Sequence, residues 1–149
     1  MLRIEDYLWV ETDDSCALCG SREARALTIH HIDGNHTNNT YDNRIVLCHN
    51  CHQRFHAKDG DITEGQIRDR KRHLIVKTLT HYGVNALKLA CRRRHVVGAP
   101  FLLDHLVDLG LLERGRDIMS HTDDGKDSVV SVCQYLPTTD GVRIVEEWF

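Results

Sequence analysis

Two hydrophobic periodicities divide the chain, and the change between them falls near Asp59-Gly60-Asp61. Before that point the apolar runs are short and strand-like. Residues 25–32 (Arg-Ala-Leu-Thr-Ile-His-His-Ile) have strand composition and end at Asp33-Gly34-Asn35, a strong turn signal. Ile45-Val46-Leu47 predicts a second short strand, separated from the first by the polar loop 38–43. Residues 52–57 read as the first turns of a helix, which puts His52 and His56 at i and i+4 on one face. Residues 2–10 form an apolar lead-in that suits one helical turn or a strand. Beyond the Asp-Gly-Asp hinge the spacing becomes helical. Ile67, Lys71, Leu74, Ile75, Thr78, Leu79 and Tyr82 make one stripe, which Gly83 should stop. Asn85 is placed to cap a second helix carrying Leu87, Ala90 and Cys91 inward. Pro100 suits the first position of a third, with Leu102, Leu103, Leu106 and Leu109 inward and Gly110 closing it. Asp123-Asp124-Gly125 predicts a hairpin tip between residues 118–121 and the β-rich 129–135, and Thr138 could cap a last helix or turn. The class is α+β, in two small domains of residues 1–60 and 61–149.

Length and composition agree with two small domains: 149 residues, 41% hydrophobic and 28% charged. No apolar run approaches the roughly 20 residues that span a bilayer, and residues 1–10 carry Glu5 and Asp6 where a signal peptide would be apolar. The expected setting is therefore cytoplasmic, with no membrane partner. The net charge of −3 hides a strong asymmetry. Residues 68–94 hold nine basic side chains against Asp69 alone, whereas residues 104–149 hold four basic and ten acidic. A polyanion would settle on the middle third. Its expected contacts are Arg68, Arg70, Lys71, Arg72, Lys77, Arg92, Arg93 and Arg94.

The densest chemistry lies between residues 16 and 56. Cys16-x2-Cys19 and Cys48-x2-Cys51 are two knuckles of matched spacing, the pattern of a closed tetrahedral zinc site that stabilises a fold and leaves no open position for water. Gly20 supplies the positive φ that the first knuckle needs. With the thiols used, His30, His31, His52 and His56 form a second cluster. Adjacent strand side chains point to opposite faces, so His30 and His31 cannot both face one ion, and one of them stays free to act. His36 and His49 read as a loop residue and a knuckle-interior residue, and Cys91 and Cys133 as core.

The combined pattern Cys-x2-Cys, His-His-Ile-Asp-Gly, Asn, Leu-Cys-x2-Cys-His-x3-His over residues 16–56 strongly resembles the HNH endonucleases, whose active site is a ββα-metal finger. The resemblance implies hydrolysis of DNA phosphodiester bonds, leaving a 5′-phosphate and a 3′-hydroxyl. It implies His31 as general base toward water, and His30, His52 and His56 as ligands of a divalent ion acting as Lewis acid. Asn43 matches the family's central Asn, which ties the loop to the backbone and braces His31. Histidine near its ordinary pKa of about 6.5 is mostly neutral at physiological pH, as a base must be. A three-histidine site favours Mn²⁺, Ni²⁺ or Zn²⁺ over Mg²⁺, which prefers oxygen. The expected cofactors are thus a structural Zn²⁺ and a catalytic divalent ion among these four.

The second half resembles winged helix-turn-helix domains more loosely. Helix, helix, helix, hairpin is their outline, and Tyr135-x-Pro137-Thr138-x2-Gly141 is similar to a closing motif of many winged-helix repressors. The helix expected to read the major groove, however, carries Asp104 and Asp108, and the wing tip carries Asp123, Asp124 and Asp127, all unfavourable toward phosphates. The sequence therefore predicts a ββα-metal nuclease acting on double-stranded DNA. Its winged-helix-like second domain would serve as a surface for DNA, for a homodimer mate or for a protein partner. The alternatives are a non-catalytic zinc-containing DNA-binding regulator, or a nuclease recruited to a larger assembly through residues 61–149. The expected host is a bacterial, phage-infected or archaeal cell.

Overall fold

The computed structural model describes residues 1–121 and 129–149, and the side chains outside 119–121 and 129–131. The expected wing tip at Asp123, Asp124, Gly125 and Asp127 lies outside the described residues. The chain separates into two compact units, Leu2–Thr78 and Leu79–Phe149, with Met1 grouped with the second.

The first unit opens with helix α1 (Ile4–Glu11), where the sequence left helix or strand undecided. Its start is stabilised by Asp6, whose carboxylate accepts from the Arg3 backbone N–H at 2.9 Å, and by Glu5 and Asp6 in a first turn that favours anions. Strands β1 (Leu27–His31) and β2 (Arg44–Cys48) pair antiparallel, from Leu27 opposite Cys48 to His31 opposite Arg44. Every residue of β2 is buried, as expected of a strand packed on both faces. Helix α2 (His49–His56) follows without a gap, starting three residues earlier than its apolar spacing suggests. The reason is local: Cys48 acts as N-cap, its sulfur accepting from the Cys51 backbone N–H at 3.4 Å. Strand, strand, helix is thus the order around the cysteine and histidine clusters.

Helix α3 (Glu64–Arg93) is interrupted at Thr80, with φ 62° and ψ 163°. Positive φ is a rare state for a β-branched residue. Thr80 Oγ1 accepts from the Gly83 backbone N–H at 3.3 Å, so it caps the helix that resumes after it. The break and the cap therefore sit at Thr80, and not at Gly83 and Asn85, because the Thr80 hydroxyl satisfies a free N–H at the start of the resumed helix. Gly83 lies within the resumed helix, where a Cβ would come within 3.3 Å of His105 and Leu106 side-chain atoms.

Residues 64–78 belong to the first unit, although their composition assigns them to the second. Glu11 explains this. Its carboxylate, at the end of α1, is buried and accepts from Lys71 Nζ at 2.6 Å, from the Tyr41 hydroxyl and from Thr78 Oγ1 at 3.2 Å. Lys71 Nζ also stands 4.0 Å from the centre of the Tyr41 ring. Arg70 Nε donates to the Ala17 carbonyl at 2.8 Å, and Lys77 Nζ to the Glu11 carbonyl at 3.1 Å. Three of the basic side chains thus fasten this helical segment to α1 and the Cys16 knuckle, and Ile67, Leu74 and Ile75 bury beneath it.

The second unit holds the resumed part of α3, then β3 (Val96–Gly98), α4 (Pro100–Asp108), β4 (Leu112–His121), β5 (Val129–Pro137) and α5 (Thr139–Trp148). The sheet order is β3-β5-β4, all antiparallel. Strand β3 has only three residues and carried no legible signal. Its presence leaves a single helix, α4, between β3 and β4. Pro100 is the first residue of α4, as its fixed φ suggests, and Leu103 and Leu106 point into the core. The Tyr135–Gly141 segment has a physical reading. Tyr135 donates to Asp104 Oδ1 at 2.7 Å, Thr138 Oγ1 caps α5 by accepting from Gly141 N–H at 3.0 Å, and a Cβ on Gly141 would stand 2.1 Å from the Leu111 carbonyl oxygen. Only glycine permits that approach.

Candidate active site

Four thiols meet where the first turn, the end of β2 and the start of α2 converge. The sulfur atoms of Cys16, Cys19, Cys48 and Cys51 all lie within 4.8 Å of one another, with Cys19 and Cys48 at 3.6 Å. Gly20, at φ +73°, closes the first knuckle by donating its N–H to the Cys16 carbonyl at 2.9 Å. The second knuckle is closed by the α2 cap. Burial opposes ionisation of Cys16, but backbone N–H groups of Cys19, Cys48 and Leu18 bring its thiol down to about 7. Burial and the three neighbouring thiols push Cys51 far up instead. Four sulfurs this close cannot all be thiolates without a cation among them. The donor set fits a structural metal site, and four cysteines suit zinc.

A second cluster joins β1 to α2. His30, on β1, is buried, and its Nε2 finds no hydrogen-bond partner among the described residues. His52 and His56, one turn apart on α2, face it: the ring centroids are 4.8 Å (His30–His52), 5.3 Å (His30–His56) and 4.6 Å (His52–His56) apart. One nitrogen from each lies within 4.8 Å of the others. Burial, then the neighbouring His52 and His56, hold His30 down to about 4, so it is a neutral ring with an available lone pair. Burial likewise lowers His52. A buried ring nitrogen without a partner, facing two more imidazoles, fits a metal ion. Phe55 packs edge-on against His30 at 5.4 Å and walls one side.

His31 follows His30 on β1 and is half exposed where His30 is buried, as strand alternation requires. Its Nε2 lies 2.9 Å from Asn39 Oδ1, and its ring meets that of His36 edge-on at 5.2 Å. Asn43 is buried and commits its side chain to the loop after β1. Its Oδ1 accepts from Asp33 N–H at 3.1 Å, and its Nδ2 donates to Asp33 Oδ1 at 2.8 Å and to the Asn38 carbonyl at 2.9 Å. Asn43 thus ties the loop, while the direct partner of His31 is Asn39. Asn38 donates to Asp33 Oδ2 at 2.8 Å, and that bond first, with burial opposing it, sets an Asp33 carboxyl lower than usual.

The basic residues part company. Lys71 is fully buried in its pair with Glu11 and is removed from any phosphate-contacting surface. It occupies the apolar stripe, and a charge with an ion-pair partner can be buried there. Arg70 and Lys77 are exposed but hydrogen-bonded within the first unit. Arg68 is half-buried, Arg72 is exposed, and Arg92, Arg93 and Arg94 form an exposed run at the end of α3. The residues that sequence reasoning missed are Glu11, Tyr41 and Asn39. For Glu11 the usable signal was an acidic residue at the end of an apolar stretch, opposite a lysine inside a helical stripe.

Residues 16–58 match the family model described as HNH endonuclease. A segment of 59 residues is 46% identical to the protein named "Putative HNH nuclease YajD" of Escherichia coli strain K12, covering 35% of this chain and 46% of that protein. The same figures hold for its counterparts in Escherichia coli O157:H7 and Shigella flexneri. The chain thus spans about half the length of the curated relatives it matches. No solved structure matches it significantly. Among the described residues no helix is long and apolar enough to cross a membrane.

Proposed function

We propose that the first unit is a metal-dependent endonuclease that hydrolyses phosphodiester bonds of double-stranded DNA, with His31 as general base. The observation that carries this reading is a half-exposed His31 next along the strand to a buried His30, which meets the half-buried His52 and the exposed His56 in a three-imidazole cluster. A regulator that used histidines only to brace its fold has no use for that division. His30, His52 and His56 would hold a divalent ion, Mn²⁺, Ni²⁺, Zn²⁺ or Mg²⁺. When bound it supplies Lewis-acid stabilisation at the scissile phosphate and its leaving oxygen.

The chain's own residues do the rest. His31 takes a proton from the attacking water, which adds to phosphorus opposite the departing 3′ oxygen. The products carry a 5′-phosphate and a 3′-hydroxyl. Cys16, Cys19, Cys48 and Cys51 would hold the structural zinc, and so fix the start of α2 and with it the positions of His52 and His56, one and five residues after Cys51. The second unit would hold the nuclease on DNA through Arg92, Arg93 and Arg94, whose exposure on one helix end supports phosphate contact. A winged-helix role for that unit, or docking of a homodimer mate or protein partner on it, belongs to the same proposal.

Digestion of supercoiled plasmid across a series of divalent metals tests the reading. Wild-type protein nicks or linearises the plasmid. His31→Ala keeps its fold and both metals but loses activity by about 100-fold or more, the usual range for a general base. A His31→Ala protein that cuts as fast as wild type would sink the mechanism. One zinc per chain with no cleavage would support the non-catalytic regulator instead.

A further inference from the structure

The direct partner of His31 is a side chain that the motif does not include. Asn39 is exposed, and its side chain meets His31 Nε2 at 2.9 Å through Oδ1. An amide oxygen can only accept, so with Oδ1 toward the ring this contact is a hydrogen bond when Nε2 carries the His31 proton. No hydrogen-bond partner of Nδ1 is found among the described residues. The two nitrogens of an imidazole are not equivalent, and the bond made by one decides the role left to the other.

Asn39 is held for this task from both sides. The carbonyl of Asn38 accepts from Asn43 Nδ2 at 2.9 Å, and the carbonyl of Thr40 accepts from Asn43 N–H at 3.3 Å. Asn38 is further tied to Asp33 through Nδ2, and Thr40 Oγ1 donates to Asn38 Oδ1 at 3.1 Å. Asn43 also accepts from Asp33 N–H, and its carbonyl accepts from Ile32 N–H at 2.8 Å. Residues 38 and 40 are therefore pinned to the start of β2 by a residue whose own side chain is buried. The side chain between them is left to face His31.

We propose that Asn39 is a positioning residue: its Oδ1 holds the His31 proton on Nε2, so that Nδ1 is the atom that takes the proton from water. This rests on the endonuclease reading, and it moves the brace of the base from Asn43 to Asn39, with Asn43 acting through the loop. Bonds and protons balance. Water gives one proton to Nδ1, and its oxygen bonds to phosphorus as the P–O3′ bond breaks. The 3′ oxygen takes a proton from solvent to become the hydroxyl. The proton on Nε2 stays in its bond to Asn39, and the doubly protonated ring returns the proton it gained to solvent.

Two measurements on the full zinc-loaded chain test this. Nitrogen-15 NMR of the imidazoles reads the tautomer without any need for activity. Wild-type His31 is expected with Nε2 protonated, and Asn39→Ala with the two tautomers mixed. Observation of the Nδ1-protonated form in wild type overturns the proposal, whatever the protein does to DNA. In plasmid cleavage, Asn39→Ala is expected to lower kcat by about 10–100-fold, the range for residues that orient a functional histidine, with KM for DNA and metal content unchanged. Asn39→Asp keeps an acceptor at the same place and is expected to recover most of that loss. If Asn39→Asp is as slow as Asn39→Ala, or if KM and not kcat moves, Asn39 serves only the loop and the proposal fails. Absence of cleavage by wild-type protein in every metal would instead overturn the endonuclease reading, and the NMR result would still decide the tautomer.

Discussion

Replacing Lys71 with methionine separates two views of the basic middle third. Composition makes Lys71 a phosphate contact. The structure makes it half of a buried ion pair, with both side chains 0% exposed and 2.6 Å between Nζ and Glu11 Oε1. Methionine fills nearly the same volume, so packing loss is small, and the cost is the charge left behind on Glu11. Two donors remain to that carboxylate, the Tyr41 hydroxyl and Thr78 Oγ1, but no cation. Breaking one side of a buried pair costs about 3–5 kcal/mol, and the loss of the cation above the Tyr41 ring falls in the same direction. We expect Lys71→Met to lower the stability of the first unit by that amount in a urea titration with zinc in excess. Glu11→Gln combined with Lys71→Met removes both charges and keeps an acceptor for Tyr41, so the double variant should be more stable than Lys71→Met alone. At temperatures where Lys71→Met stays folded, its DNA affinity and the slope of log affinity against log salt should equal those of wild type. A loss of stability below about 1 kcal/mol would contradict the buried pair. A salt slope reduced by about one unit would make Lys71 a phosphate contact after all.

Other outcomes follow from the same geometry. Cys48→Ala removes both a sulfur donor and the side-chain acceptor that caps α2, so it should lose zinc by metal analysis and helical signal by circular dichroism together. Substituting Arg92, Arg93 and Arg94 with Gln should flatten the salt dependence of DNA binding by two to three units if this exposed run meets phosphates, at about one unit per contact. Asn43→Ala strips the loop of the three part-buried hydrogen bonds made to Asp33 and Asn38, which should cost about 1–3 kcal/mol and open the loop to limited proteolysis. His30 is held to about 4 in the folded chain against 6.5 for a free ring. The unfolded chain therefore binds more protons between these values. Stability of protein with its histidine cluster free of metal should be full above pH 6.5 and should fall by about 3 kcal/mol as pH drops through 4, at about 1.4 kcal/mol per pKa unit. A His30→Gln variant should lack that fall in thermal melts.

Much of the candidate site was readable because short-range rules govern it. The two CxxC knuckles and the i, i+4 relation of His52 and His56 are local distances, and strand alternation separates His30 from His31 without any knowledge of the fold. The helical stripe also placed Lys71 correctly as an inward position, while its charge argued for the surface. The stripe was the better guide, because a partner 60 positions away in sequence compensates the buried charge. The break of α3 shows the opposite case. Gly83 is a local stop signal, but Thr80 adopts the unusual φ and caps the resumed helix, and Gly83 is held inside that helix by the close approach of α4 side chains.

Residue type and spacing were enough to set the two donor clusters of this protein: four soft sulfurs in two matched turns, and three imidazoles left over with a fourth pointing elsewhere. Those are properties of side chains within a few bonds of one another, and they hold in almost any fold that brings the two segments together. The folded chain settles which polar groups find each other across long stretches of sequence. Glu11 meets Lys71, and residues 64–78 pack with the first unit through that pair, the bonds of Arg70 and Lys77, and the buried Ile67, Leu74 and Ile75. Asn39, and not Asn43, reaches His31, since the loop's path is set by hydrogen bonds whose partners lie as many as ten residues apart.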